Sequence, residues 1–147
     1  MAFRFRTESQ LGDAQFRLLQ LIRHEVSSAP VVASSEGKFR TIDVQDAIAP
    51  ALVRRGFEFS TGHGAFLDDA GTAVTVHGGR AYTNNEAVWR LIQLAGRPRL
   101  RAVVTVVPWT YKNGACAAKV EEQIIELSKN PGVAIDLDWA AHASYRM

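Results

Sequence analysis

One cysteine, Cys116, is all the thiol the chain has, so no internal disulfide can form and a reducing compartment suits it. Set among small residues at the start of a helical pattern, it reads as a small buried hydrophobe and not as a reactive thiol. Long apolar runs are also missing. Nothing approaches the roughly 18 residues of a membrane span, and the amino-terminal MAFRFRTESQ lacks a signal-peptide core. The expectation is a soluble, cytoplasmic protein. Excess charge is small as well: 17 Lys and Arg against 15 Asp and Glu leave +2. That does not demand a nucleic-acid partner, although a local basic cluster could still serve one. P-loop, GxGxxG, zinc-ligand spacing and Ser-His-Asp order are absent, so those chemistries have no foothold and no small-molecule cofactor is expected.

What is present is an ordinary core-forming composition. With 147 residues, 47% of them hydrophobic, the chain is long enough for one domain, residues 1–147. Leu11, Leu18, Leu19, Ile22 and Val26 share a stripe and predict a helix over Glu8 to Val26. The loop-like SSAPVVASSEGK follows. A second helix is expected from Val44 to Arg55, with Asp43 as N-cap, Gly56 as stop and Pro50 in conflict within it. FEFS, AFLDD and TAVTVH read as three short strands joined by turns, an antiparallel meander. Thr83 and Glu86 predict a capping box for a third helix that ends at Gly96 and Pro98. RAVVTVVP reads as a central strand covered on both faces. A fourth helix runs from Ala115 to Ser128, and VAIDLDW closes the sheet as a fifth strand. The order is ααβββαβαβ, an α/β (α+β) sandwich with a mixed five-stranded sheet flanked by helices.

Two stretches carry a resemblance. DVQDAIAPALVRRGFEF is a helix ending in Arg-Arg-Gly-aromatic before a strand. TAVTVHGGRAYTNNEAVWRLIQLAGRPRLRAVVTVVP is a strand, a Gly-Gly-basic turn, a long helix and an apolar strand ending in Val-Pro. Together they resemble the PD-(D/E)XK restriction-endonuclease-like superfamily, in its BglII/BamHI branch, over about residues 44–139. The resemblance implies a three-layer sandwich, DNA as partner, a homodimer and a Mg²⁺ ion held by strand carboxylates beside the scissile phosphate. Carried over, the third-strand acid falls on Thr75 and the position two further on is His77. The second-strand acid falls near Ala65, and only a shift brings in Asp68 or Asp69. Thr75 cannot replace a carboxylate as a Mg²⁺ anchor. The resemblance therefore implies a catalytically silent relative that binds DNA or a partner.

Two further readings stay open. One is a working nuclease in which Asp68 or Asp69 acts with His77 and any divalent ion. The other is a small α/β interaction or regulatory module without a nucleic-acid role. Asp68 and Asp69 also suit a plain LDDAG turn. His63 lies between glycines in TGHGA. Asp136 and Asp138 share a face of the expected last strand, as a paired-carboxylate site or a solvated edge. Arg80, Arg97, Arg99 and Arg101 gather around the third helix, and an extended GRPRLR would aim three arginines to one side as phosphate contacts. Trp89 falls one place off the buried stripe, where it could anchor a dimer or partner.

Overall fold

The computed structural model describes residues 5–34, 36–79, 81–112, 114–130 and 135–146. Among them are four helices and one five-stranded mixed sheet, plus a two-stranded hairpin. A short 3-10 turn, Glu8–Gln10, precedes helix α1, Asp13–Ser27. The single helix expected from Glu8 is thus broken at Leu11–Gly12. Two glutamines cap the pieces: the Gln10 amide oxygen accepts from the Thr7 N–H at 3.0 Å and that of Gln15 from the Gly12 N–H at 3.1 Å.

Helix α2 covers Thr41–Arg54, three residues earlier than its pattern implied, because Arg40 and not Asp43 is the N-cap. Asp43 sits in the first turn, favourable for an acid at the positive end of the helix dipole, with both carboxylate oxygens on the Arg40 guanidinium at 2.8 and 2.9 Å. Pro50 stays inside the helix on its exposed side. Gly56 ends it with φ of 87°, and the Phe57 N–H reaches back to the Leu52 carbonyl at 3.1 Å, closing a Schellman motif.

Strands β1 (Glu58–Ser60), β2 (Ala65–Leu67) and β3 (Thr72–Val76) form the expected antiparallel meander. Helix α3, Glu86–Ala95, crosses over to β4, Ala102–Pro108, which pairs parallel with β3 and is buried along its whole length. The Thr83 capping box does not form. Asn85, left-handed at φ 53°, is the N-cap, and Glu86 is the first helical residue. A hairpin of β5 (Thr110–Tyr111) and β6 (Gly114–Ala115) then leads into α4, Ala117–Ser128, two residues later than expected.

The last strand corrects the sequence reading. Val133 and Ala134 of VAIDLDW lie outside the described residues, and the sheet strand β7 is Trp139–Tyr145, parallel to β4 over seven pairs. Asp136 and Asp138 precede it, both half-buried and alternating with the buried Ile135, Leu137 and Trp139. Alanines at 140, 141 and 143 hid the strand, because Ala has poor β-propensity. Their small size lets helices close on both faces of β7. The sheet order is β1-β2-β3-β4-β7. Leu19, Ile22, Val44, Ile48 and Leu52 of α1 and α2 pack on one face, and Leu91, Leu94, Val120 and Ile124 of α3 and α4 on the other. Among the described residues no helix is long and apolar enough to cross a membrane.

Candidate functional site

Thr75 and His77 stand at the carboxyl end of β3, on the face that carries α3. Alternation along the strand sends both side chains the same way. His77 is 2% exposed and Thr75 1%, so neither ring nor hydroxyl meets solvent. The Thr75 Oγ1 lies 2.9 Å from His77 Nε2, and Glu86 Oε1 lies 3.3 Å from His77 Nδ1. Facing a carboxylate, Nδ1 carries the proton, and Nε2 then accepts from the Thr75 hydroxyl. The backbone of His77 is also held: its N–H donates to the Val106 carbonyl at 2.9 Å and its carbonyl accepts from Tyr145 Oη at 2.8 Å. Burial pushes the Tyr145 phenol well above its ordinary value, so it remains a donor. Hydroxyl, imidazole and carboxylate thus form a closed relay whose outer end, Glu86, is partly exposed.

The pairing of β2 with β3, Phe66 opposite Val74 and Leu67 opposite Ala73, continues to set Ala65 opposite Thr75. The two strand positions where the resemblance implies metal-holding carboxylates therefore offer a methyl group and a hydroxyl already bonded to His77. Mg²⁺ requires an oxygen shell rich in carboxylate. These residues do not fit it, and among the described residues no three His, Cys, Asp or Glu side chains gather as a metal site.

Asp68 and Asp69 stand elsewhere. Asp68 Oδ1 accepts from the N–H groups of Ala70 at 3.0 Å and Thr72 at 2.8 Å, which makes it the organiser of the β2–β3 turn. Thr72 opens β3 and His77 follows its last residue, five residues on or about 17 Å away at ~3.3 Å per residue. The fold does not bring Asp68 or Asp69 to His77. It does place them at the same end of the sheet as Arg99 and Arg101, since the Arg101 N–H donates to the Gly71 carbonyl at 2.8 Å.

The arginine segment is not extended. Residues 96–99 turn, with Arg99 left-handed at φ 70°, so the alternate spacing does not line the side chains up. Arg97, Arg99 and Arg101 are nevertheless all exposed. Arg97 Nη2 donates to the Gly62 carbonyl at 3.4 Å, and a Cβ on Gly64 would stand 2.9 Å from Arg90 Nη1, so two guanidinium groups border the β1–β2 turn. His63 in that turn has Nδ1 2.8 Å from Ser60 Oγ. Arg80 lies outside the described residues. Cys116 is 1% exposed beside α4, and burial pushes its thiol up to about 11, as befits an unreactive packing group.

Sequence reading missed three parts of this arrangement. Glu86 was assigned only to a cap, although its nine-residue spacing from His77 across a Gly-Gly turn was visible. Tyr145 lay in a segment not recognised as a strand. Lys38, Lys112 and Lys119, far apart in sequence, line one cleft with Tyr82 and Tyr111. No protein-family model, curated protein or solved structure matches the chain significantly.

Proposed function

We propose that the chain is a restriction-endonuclease-like domain that binds DNA and does not cleave it. The observation that carries this reading is the closed relay on β3. Thr75, opposite Ala65, is hydrogen-bonded to a buried His77 at the positions where a nuclease of this type holds carboxylates. An antiparallel three-strand meander followed by a crossover helix and a parallel strand supports the same lineage. Exposed Arg97, Arg99 and Arg101 supply cations for phosphate contacts. A homodimer matched to a two-fold DNA site belongs to the reading.

Fluorescence anisotropy of a labelled duplex across a salt series, with and without Mg²⁺, tests it. The expected outcome is binding that weakens with salt, by a log–log slope of roughly 0.9 per phosphate contact, and that Mg²⁺ does not strengthen. Supercoiled plasmid is expected to stay supercoiled with Mg²⁺ or Mn²⁺. Nicking abolished by Asp68→Ala or His77→Ala would instead establish the active-nuclease reading. An interaction module is favoured by one observation, the 60% exposure of Trp89 on the outer face of α3. Absence of DNA binding at low salt would leave that account standing.

A further inference from the structure

A polar cleft of about 970 Å³ opens beyond the carboxyl ends of β3 and β4. Its lining is Lys38, Tyr82, Thr83, Asn84, Tyr111, Lys112 and Lys119, with Gly114 and Ala115 completing the wall. Among the described residues its lining carries three lysines, two tyrosines, a threonine and an asparagine, and no acidic residue. That is an unusual balance in a chain whose charges nearly cancel. The carboxylates nearest the lysines stand outside the lining. Glu36 pairs with Lys38 at 2.7 Å between side chains 69% and 45% exposed, and Glu122 is 4.0 Å from Lys119. Exposed pairs of this kind are weak and exchange readily for a phosphate.

The wall of the cleft is held in place. The Tyr111 ring lies directly on the backbone of Gly79, where a Cβ would come within 2.1 Å of it, and a Cβ on Gly78 would meet the Phe39 carbonyl at 2.7 Å. Gly79 is therefore what lets the β5–β6 hairpin close down on the β3–α3 turn, and Gly78 what lets the start of α2 approach it. The Lys112 N–H donates to the Gly37 carbonyl at 3.3 Å, which joins the hairpin to the loop carrying Lys38. Lys112 Nζ stands 5.6 Å from the centre of the Tyr111 ring. Cations and rings side by side in one groove are what a strand of phosphates and bases requires.

We propose that this cleft holds a nucleotide unit, its phosphate on Lys38, Lys112 and Lys119 and its base against Tyr82 or Tyr111. The proposal rests on the nucleic-acid reading above and moves its centre from the arginines to the cleft beyond the carboxyl ends of β3 and β4. The unit comes either from a nucleic-acid strand or from a free nucleotide.

The test uses the full chain and a fluorescein-labelled twelve-residue oligothymidylate, titrated by anisotropy across a salt series. A variant carrying Lys38→Ala, Lys112→Ala and Lys119→Ala is expected to lose at least about tenfold in affinity. Its log–log salt slope is expected to fall by roughly 0.7, the value for the one single-strand phosphate that the three lysines hold. Tyr82→Ala combined with Tyr111→Leu, which removes both rings, is expected to weaken binding about fivefold or more with the slope unchanged, since stacking is not a counterion effect. Competition by millimolar AMP would assign the site to free nucleotides, and its absence to strands. The lysine variant binding like the parent overturns the proposal. If only an Arg97→Ala, Arg99→Ala, Arg101→Ala variant loses affinity, the cleft is wrong and the nucleic-acid reading survives. If the parent binds neither oligothymidylate nor duplex at low salt, both fall.

Discussion

At the scale of single residues, His77 shows how a polar group becomes tolerable inside a sheet. Each ring nitrogen has a partner, which offsets the cost of leaving water. Thr75→Val keeps the shape but leaves Nε2 a buried acceptor without a donor. It is expected to lower stability by about 1–3 kcal/mol in urea denaturation. An unchanged midpoint would mean that the hydroxyl contributes nothing to the relay. His142 on β7 is a different case. Burial holds its imidazole below the ordinary 6.5, against the opposing pull of Glu121 at 3.5 Å from Nε2, with Arg23 favouring the neutral ring and Glu8 the charged one. The unfolded chain then binds the proton more readily than the folded one. Stability is therefore full above the unfolded value and declines as pH falls below about 6.5. Glu8 adds to the loss at lower pH: the Arg23 guanidinium, at 2.5 and 2.6 Å, holds its carboxyl below the ordinary range, so its contribution disappears as it protonates. Thermal melts at pH 7 and pH 5.5 should show a fall in Tm that His142→Gln reduces. An equal fall in the variant would assign the effect elsewhere.

At the scale of elements, Pro50 is the clearest conflict between local chemistry and tertiary demand. A proline in the tenth position of a fourteen-residue helix removes a hydrogen bond to the preceding turn. The helix persists because Val44, Ile48, Ala51 and Leu52 are buried against the sheet, while the proline ring faces solvent. Pro50→Ala restores the donor and raises helix propensity, and is expected to stabilise the protein by about 1 kcal/mol in the same denaturation experiment. Destabilisation would mean that the sheet needs the bend. Strand β7 shows the opposite relation. Its local signal is poor, yet it is the outermost strand of the parallel part. Its free edge is covered where the Ala140 N–H donates to the Arg6 carbonyl at 2.7 Å and the Arg23 guanidinium binds the His142 carbonyl at 3.0 Å. Such cover protects an edge from pairing with other chains.

At the scale of the whole molecule, the sheet separates two chemistries. One end carries the Asp68 turn with Arg99 and Arg101, while the Arg97 guanidinium reaches across to the β1–β2 turn. The other carries the closed Thr75–His77–Glu86 relay and the lysine-lined cleft. A single small ligand cannot span both ends, whereas a nucleic acid can. If both ends contact phosphates, substituting all six cations should reduce the salt slope by about the sum of the two separate reductions, since distant sites add. A smaller combined effect would mean that one end alone is engaged.

Local chemistry was enough to read the four helices, the antiparallel meander and the buried central strand, though not the β5–β6 hairpin before α4, because periodicity and turn residues report which face of an element is apolar. It also marked Thr75 and His77 as the substituted positions of the resemblance. Tertiary structure alone decided the rest. It took the final strand from VAIDLDW to Trp139–Tyr145, because pairing with β4 and room between helices outweigh the β-propensity of alanine. It separated Asp68 from His77, a distance that depends on register and not on spacing in sequence. It joined Glu86 to His77, and gathered three lysines from a loop, a hairpin and a helix, because charges far apart in the chain meet only when the sheet brings its strand ends together.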